Sequence, residues 1–329
     1  VTVPRLATID LGTNTVRLLV VDPRPDGRWD VITEAQRVTR LGEGLAAVGR
    51  LGGGPMTRTA AVVAEYVRLA EDAGAAEVRI VATSAVRDAA NGSDFVAAVT
   101  ATTGRPVEVV SGQDEARLTI AGILRGLGAV PPVVLAFDIG GGSTEFVLAR
   151  DGGVVAATSL RLGVVPLAER FPFAGAVETA RYDRMQDEVA GRLRRELPPA
   201  IRNAGVEDLI GTAGTVTTLG ALDLELAAYD AGRVQGHRLP RAAVDRLLAR
   251  LGALTVDERA ALPCLEPGRA DLILAGVAIV RAALDVTGAA AVVVSDWGLR
   301  EGIIADLIDR LAPRGTPAWP APAQPPAER

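Results

Sequence analysis

Apolar and polar positions follow the same order twice along this chain. From Ala7, apolar residues run into Asp10, a turn at Gly12 and a hydroxyl at Thr15, then alternate through Val16, Arg17 and Leu18. From Ala136 the order recurs as Asp138, Gly140, Ser143, then Thr144, Glu145 and Phe146, with the spacing between positions unchanged. Each copy reads as a strand, a tight turn and a returning strand, because the segment after the turn alternates instead of opening a helix. Such a turn offers backbone N–H groups to an anion, and the Asp beside it suits a cation. The duplication predicts two similar α/β halves closing on a metal–phosphate group.

The rest of the pattern fills in both halves. Residues 29–33 read as a strand leading to polar 37–44, and Pro55 opens a helix to about residue 73 with Val62, Val63, Tyr66, Val67 and Ala70 on one face. A strand at 78–82 ends in Thr83-Ser84-Ala85-Val86-Arg87-Asp88. Ser93 is expected to cap a helix to 102, a strand follows at 107–110, and Ser111-Gly112-Gln113-Asp114 has capping-box form for a helix through 126. Beyond a joint at Val130-Pro131-Pro132, we expect helices at 182–202, 240–251 and 270–284, and strands at 209–212 and 291–295. A last helix at 299–311 is expected to cross back onto the first half. This divides the chain into 1–128 plus 299–312, 129–298, and a Pro-rich tail at 313–329 that lacks periodicity and reads as disordered.

Composition then removes several chemistries. All 35 basic residues are Arg, so a P-loop lysine and a Schiff-base amine are excluded. A single His237 excludes His-rich metal sites and disfavours a Ser–His triad, and a single Cys264 excludes an intrachain disulfide. The apolar runs are too short to span a bilayer, no export pattern opens the sequence, and cytoplasm is the expected location. A net charge of −5 argues against nucleic acid as a partner, while leaving local Arg clusters free to take an anion.

Seven stretches, IDLGTNTVRLLV, ATSAVRDAANG, VVSGQDEARLT, FDIGGGSTEFVL, LRLGVV, GTAGTVTTLGAL and SDWGLREGI, carry a family resemblance. The chain resembles the exopolyphosphatase / guanosine pentaphosphate phosphohydrolase (Ppx/GppA) family in its short, two-domain form. The resemblance implies two duplicated actin-like (ribonuclease-H-like) domains of α/β class with an active-site cleft between them. It also implies hydrolysis of the terminal phosphate of inorganic polyphosphate, with guanosine pentaphosphate as the alternative substrate. An ATP-dependent small-metabolite kinase and a nucleotide-switched scaffold share the superfamily hairpins and are the remaining rivals.

The same resemblance implies roles. Glu115 matches the catalytic glutamate, taking a proton from the attacking water. As a first-turn helix residue its carboxylate is expected to be ionised, although on residues alone it could equally be a capping acid beside Gln113 and Asp114. Asp138 and Glu145, counted with Glu115 among the catalytic residues, are expected together with Asp10 across the cleft to hold Mg²⁺ or Mn²⁺, with K⁺ a further candidate. Either Asp taken alone could be a turn cap. Asn14, Thr15, Gly140, Gly141, Gly142, Ser143 and Thr144 are expected to hydrogen-bond phosphate, with Gly214 and Thr215 contacting further phosphates. Arg87 resembles the phosphate-contacting arginine, its alternative being a surface salt bridge. Arg161, Arg238, Arg269 and Arg300 are candidates for a polyanion track, and a homodimer is left open. Trp297 stands where a small residue is common and is expected to alter packing between the halves.

Overall fold

The computed structural model describes residues 3–128 and 130–311; the Pro-rich tail expected from 313 lies outside the described residues. The first sheet contains β1 (Leu6–Leu11), β2 (Thr15–Pro23), β3 (Trp29–Val38), β4 (Glu77–Ala82) and β5 (Val107–Val109), in the order β3-β2-β1-β4-β5. The second contains β6 (Val133–Ile139), β7 (Thr144–Arg150), β8 (Gly153–Leu160), β9 (Asp208–Thr212), β10 (Arg238–Pro240) and β11 (Ala291–Val294), in the order β10-β11-β9-β6-β7-β8. With β10 set aside as an added edge, the two sheets share one topology. Each opening hairpin is antiparallel, and its first strand pairs in parallel with the strand that follows the first long helix. Even the irregularity repeats: the register slips between Val20 and Val21 in β2 and between Leu148 and Ala149 in β7, at matching places in the two copies.

Both faces of each central strand are covered, which is why β1 and β6 read as nearly continuous apolar runs. On the first sheet, Ala7, Ile9 and Leu11 share a core with Val62, Val63 and Tyr66 of the helix Gly53–Asp72. Its other face is covered by the last helix, Leu299–Leu311, whose Ile304, Leu307 and Ile308 meet Leu6, Leu19 and Val21. The second sheet packs Leu135, Phe137 and Phe146 against the helices Thr179–Glu196 and Ile273–Thr287. Its opposite face receives Ala116, Ile120 and Ile123 of the helix Gly112–Leu127. Each sheet is thus backed by the helix nearer the other half's sequence. The two backing helices cross where Leu118 meets Leu299 and Ile303. No side chain separates them there: a Cβ at Gly302 would lie 1.8 Å from the Leu118 carbonyl oxygen. Beside the crossing, Trp297 stacks on Trp29 with ring centroids 4.8 Å apart, bringing the two halves together as its size suggested.

Several local expectations need correction. The strand expected at 29–33 continues to Val38, since alternate residues of this edge strand are half-buried. Asn91, not Ser93, precedes the helix Gly92–Thr103, and its side chain is taken by the Leu51 backbone, so it makes no cap bond. The helix expected at 182–202 stops at Glu196, where Pro198 and Pro199 interrupt it, and a short turn Pro199–Arg202 follows. Ser111 does cap its helix by accepting from the Asp114 N–H, but Asp114 returns to the Ser111 hydroxyl and not to its backbone.

Candidate active site

The two duplicated turns meet tip to tip. In the first, the Gly12 N–H donates to the Thr15 carbonyl at 3.1 Å; in the second, the Gly140 N–H donates to the Ser143 carbonyl at 2.9 Å. A side chain at Gly141 would come within 2.8 Å of Thr13 Cβ, and one at Gly142 within 2.5 Å of Ser84 Oγ, so this close approach requires glycine. Between the turns lies a chamber of about 100 Å³. Asp10, Asn14, Thr15 and Glu115 line it from the first half, with Asp138, Gly140, Gly141, Gly142, Ser143, Gly214 and Thr215 from the second.

Three expected residues stand behind this wall. Arg87 donates to Glu115 at 2.8 Å and to the Val110 carbonyl at 3.1 Å, so it holds the glutamate and is no surface ion pair. Glu145 is buried and accepts from the Ser159 hydroxyl at 2.6 Å. The Thr144 hydroxyl donates to the Leu162 carbonyl, so its side chain is spent on the fold and unavailable to phosphate.

Strand order gives the chamber two chemically different ends. At the end bounded by β4 and β7, Ser84 touches the Gly142 turn, and Glu115, Arg87 and Glu145 gather. At the end bounded by β2 and β9 stand Arg17, Ala213 and Arg269, with Arg269 reaching Thr15 Oγ1 at 3.4 Å. Among the described residues, neither Arg17 nor Arg269 has a carboxylate within ion-pair distance. Burial drops the Arg269 guanidinium to about 10, and the Arg17 charge beside it adds to the effect.

Arg17 was not among the expected site residues, yet its signal was present. It holds in the first copy the place that Glu145 holds in the second, and the register pairs Asp10 with Arg17 as it pairs Asp138 with Glu145. The expected Arg track is not continuous. Arg269 lines the chamber, and Arg300 lies in an adjoining opening while bonded to Glu34 and Glu301. Arg161 bridges to Asp88 at the other end, and Arg238 is occupied by Asp208 on the surface. His237 pairs with Asp223.

Burial dominates the acids. Asp10 and Asp138 are each pushed up to about 6, and Glu115 to about 7 against the pull of Arg87. Burial also lifts Glu145 well above the usual range, with Glu115 and Asp138 adding to it. The helix dipole, expected to favour the ionised form of Glu115, is opposed by burial, which raises the group to about 7.

Among the described residues no three Asp, Glu, His or Cys side chains converge to hold a metal ion. The expected trio of Asp10, Asp138 and Glu145 is thus not assembled, since Glu145 is engaged with Ser159. The remaining pair still fits Mg²⁺, which takes one or two carboxylates and completes its shell with water and phosphate oxygens. Asp10 Oδ1 and Asn14 Oδ1 are buried here without any hydrogen-bond partner, as oxygens awaiting a cation would be.

Comparison with known proteins agrees with the geometry. The model of the Ppx/GppA phosphatase family matches residues 20–311. Exopolyphosphatase 2 of Mycobacterium tuberculosis is 36% identical over 324 residues, covering 92% of this chain and 98% of that protein. Exopolyphosphatase 1 of the same organism is 31% identical over 306 residues, covering 93% and 88%. The crystal structure of the Aquifex aeolicus member of the Ppx/GppA protein family superposes with a TM-score of 0.79 at 30% identity, covering 94% of this chain and 99% of its own.

Proposed function

Since the chain belongs to the Ppx/GppA phosphatase family and is a phosphoric-anhydride hydrolase, we propose that it removes the terminal phosphate of inorganic polyphosphate, with Glu115 as the base. The observation that carries this is the setting of Glu115. It is a buried carboxyl lifted to about 7, held by Arg87, and it faces a chamber built from two Asp–Gly turns. A base needs this poise, able both to take a proton and to give it up near neutrality.

Glu115 takes the proton of a water whose oxygen bonds to the terminal phosphorus. The bridging P–O bond breaks on the far side, and the shortened chain keeps that oxygen. The N–H groups of the two turns and the Ser143 hydroxyl orient the terminal group, and Arg17 and Arg269 hold the phosphates behind it. A Mg²⁺ or Mn²⁺ ion held by Asp10 and Asp138 would offset the repulsion between these acids and the phosphate oxygens. The test is phosphate release from long polyphosphate, tripolyphosphate and guanosine pentaphosphate, with no acceptor present. Release from none of them would refute the reading. Release from the nucleotide alone would move the substrate while leaving the base in place.

A further inference from the structure

Arg269 reaches the first half from the second, and its own segment is fastened there by a residue outside the chamber. Arg269 ends the short turn Pro267–Arg269, which seats on the end of β3: a Cβ at Gly268 would lie 3.0 Å from Val38 Cβ. Two residues past Val38, Arg40 takes this segment in a fork. Its guanidinium donates to both carboxylate oxygens of Asp271, at 2.8 and 2.9 Å, and to the Gly268 carbonyl at 3.2 Å, so it grips the chain on either side of Arg269. The backbone of Arg40 belongs to the first duplicated turn. The Thr39 and Arg40 N–H groups converge on the Asn14 carbonyl at 2.9 and 3.0 Å, and the Gly42 N–H donates to the Thr13 carbonyl at 2.9 Å. Arg40 adopts φ +51° there, a left-handed backbone that L-residues other than Asn and Asp seldom take.

We propose that Arg40 is a positioning residue for substrate binding: it ties the Arg269 segment to the Thr13–Asn14 turn, so that the buried guanidinium and the first turn meet the anion as one unit. The inference rests on the reading that Arg269 holds the phosphates behind the terminal one. Arg269 and Thr15 lie on different halves, and their single contact of 3.4 Å is too long to fix a guanidinium by itself. Arg40 supplies the missing constraint from behind, without lining the chamber. Arg40 and Asp271 are both half-buried, where an ion pair adds little to stability. What a bidentate fork does add is a fixed direction, and direction decides whether Arg269 presents its N–H groups to a phosphate oxygen or past it.

The test is a set of four variants whose KM and kcat are measured on the phosphoric anhydride that the parent protein cleaves best. Arg40→Asn removes the fork and keeps a residue that accepts φ > 0, and Asp271→Ala removes the fork from its other side. Each should raise KM about tenfold with kcat within about twofold of the parent. Asp271→Ala is the decisive arm: it takes away a negative charge, so a purely long-range effect on an anionic substrate would lower KM instead. Arg269→Gln should raise KM roughly tenfold or more, and adding Arg40→Asn to it should change KM by less than about twofold, because Arg40 acts through the guanidinium already removed. An unchanged or lowered KM in Asp271→Ala would overturn the proposal, as would effects that multiply in full in the double variant. A fall in kcat that tracks a lowered melting temperature would also overturn it, leaving Arg40 a structural tie only. If Arg269→Gln leaves KM unmoved, the reading of Arg269 as a phosphate ligand falls, and the proposal with it.

Discussion

The two opening hairpins share a backbone and carry opposite charges at the position that faces the aspartate. Asp10 and Asp138, the Gly12 and Gly140 turns, and the register slips in β2 and β7 all coincide when one copy is laid on the other. At the position facing the aspartate, the first copy carries Arg17 and the second Glu145. Together with Arg269 at one end and Glu115 at the other, that divergence gives a symmetric cleft a cationic end and an acidic end. Duplication here supplies geometry, and side-chain divergence supplies direction.

The largest effect should come from the acidic end. Glu115→Gln is expected to lower turnover by about 10²–10⁴ with substrate affinity preserved, because the amide keeps the shape and loses the base. Asp114→Asn, one residue away and bonded only to Ser111, should change little. Comparable losses in both would dissolve the distinction.

The comparison is sharpened by neutralising the divergent pair. Arg17→Gln should raise KM roughly ten- to hundredfold with kcat little changed, the loss expected for a charged hydrogen bond. It should also flatten the salt dependence of polyphosphate binding. Glu145→Gln should fall on kcat instead. Identical KM and kcat patterns for the two would show that the ends are not specialised.

What the halves share should appear in stability. Asp10 and Asp138 both titrate higher in the folded chain, at about 6 against an ordinary 3.8. A raised acid contributes stability that is complete below its ordinary value and is lost as pH rises through the folded one. Without divalent cation, melting temperature should therefore fall between about pH 4 and pH 7. Asp10→Asn and Asp138→Asn should each flatten that fall, and Mg²⁺ should offset it. A flat profile for the parent protein would contradict the burial of both acids.

The smallest effect concerns backbone asymmetry. Ala213, just after β9, adopts φ +69°, whereas neither Thr83 nor Ser84, just after β4, has a positive φ. That conformation costs an L-residue about 1–2 kcal/mol. Ala213→Gly should relieve it while losing about 0.4–1 kcal/mol to unfolded-chain entropy. A net stabilisation below about 1 kcal/mol in denaturant melts is expected from the difference of those two effects. A clear destabilisation would mean the Ala213 methyl has a packing role.

Much of this was legible in the residues because the same pattern appears twice. Both hairpins, the long amphipathic helices and the last helix at Leu299–Leu311 follow from periodicity alone. The edge strand β8 was not anticipated: Gly153–Leu160 is only half-buried and lacks a clean alternation of its own. The helix Val164–Arg170 went unseen because it is barely two turns long. At the site, the aspartates and glycines announced themselves. The orientation of Thr144 and the occupation of Arg238 by Asp208 depended on partners distant in sequence. No local pattern encodes those partners.

The crossing of the two backing helices has a mechanical consequence. Where Gly122 and Gly302 let backbone touch backbone, there is no deformable side chain to absorb a sliding motion, so a relative motion of the halves is expected as a swing about that contact and not as a shear past it. The aspartates ride at the ends of strands leading away from this fulcrum. A methyl group forced in at Gly302 would act as a shim under a lever, and its fraction of an ångström would arrive at the chamber magnified.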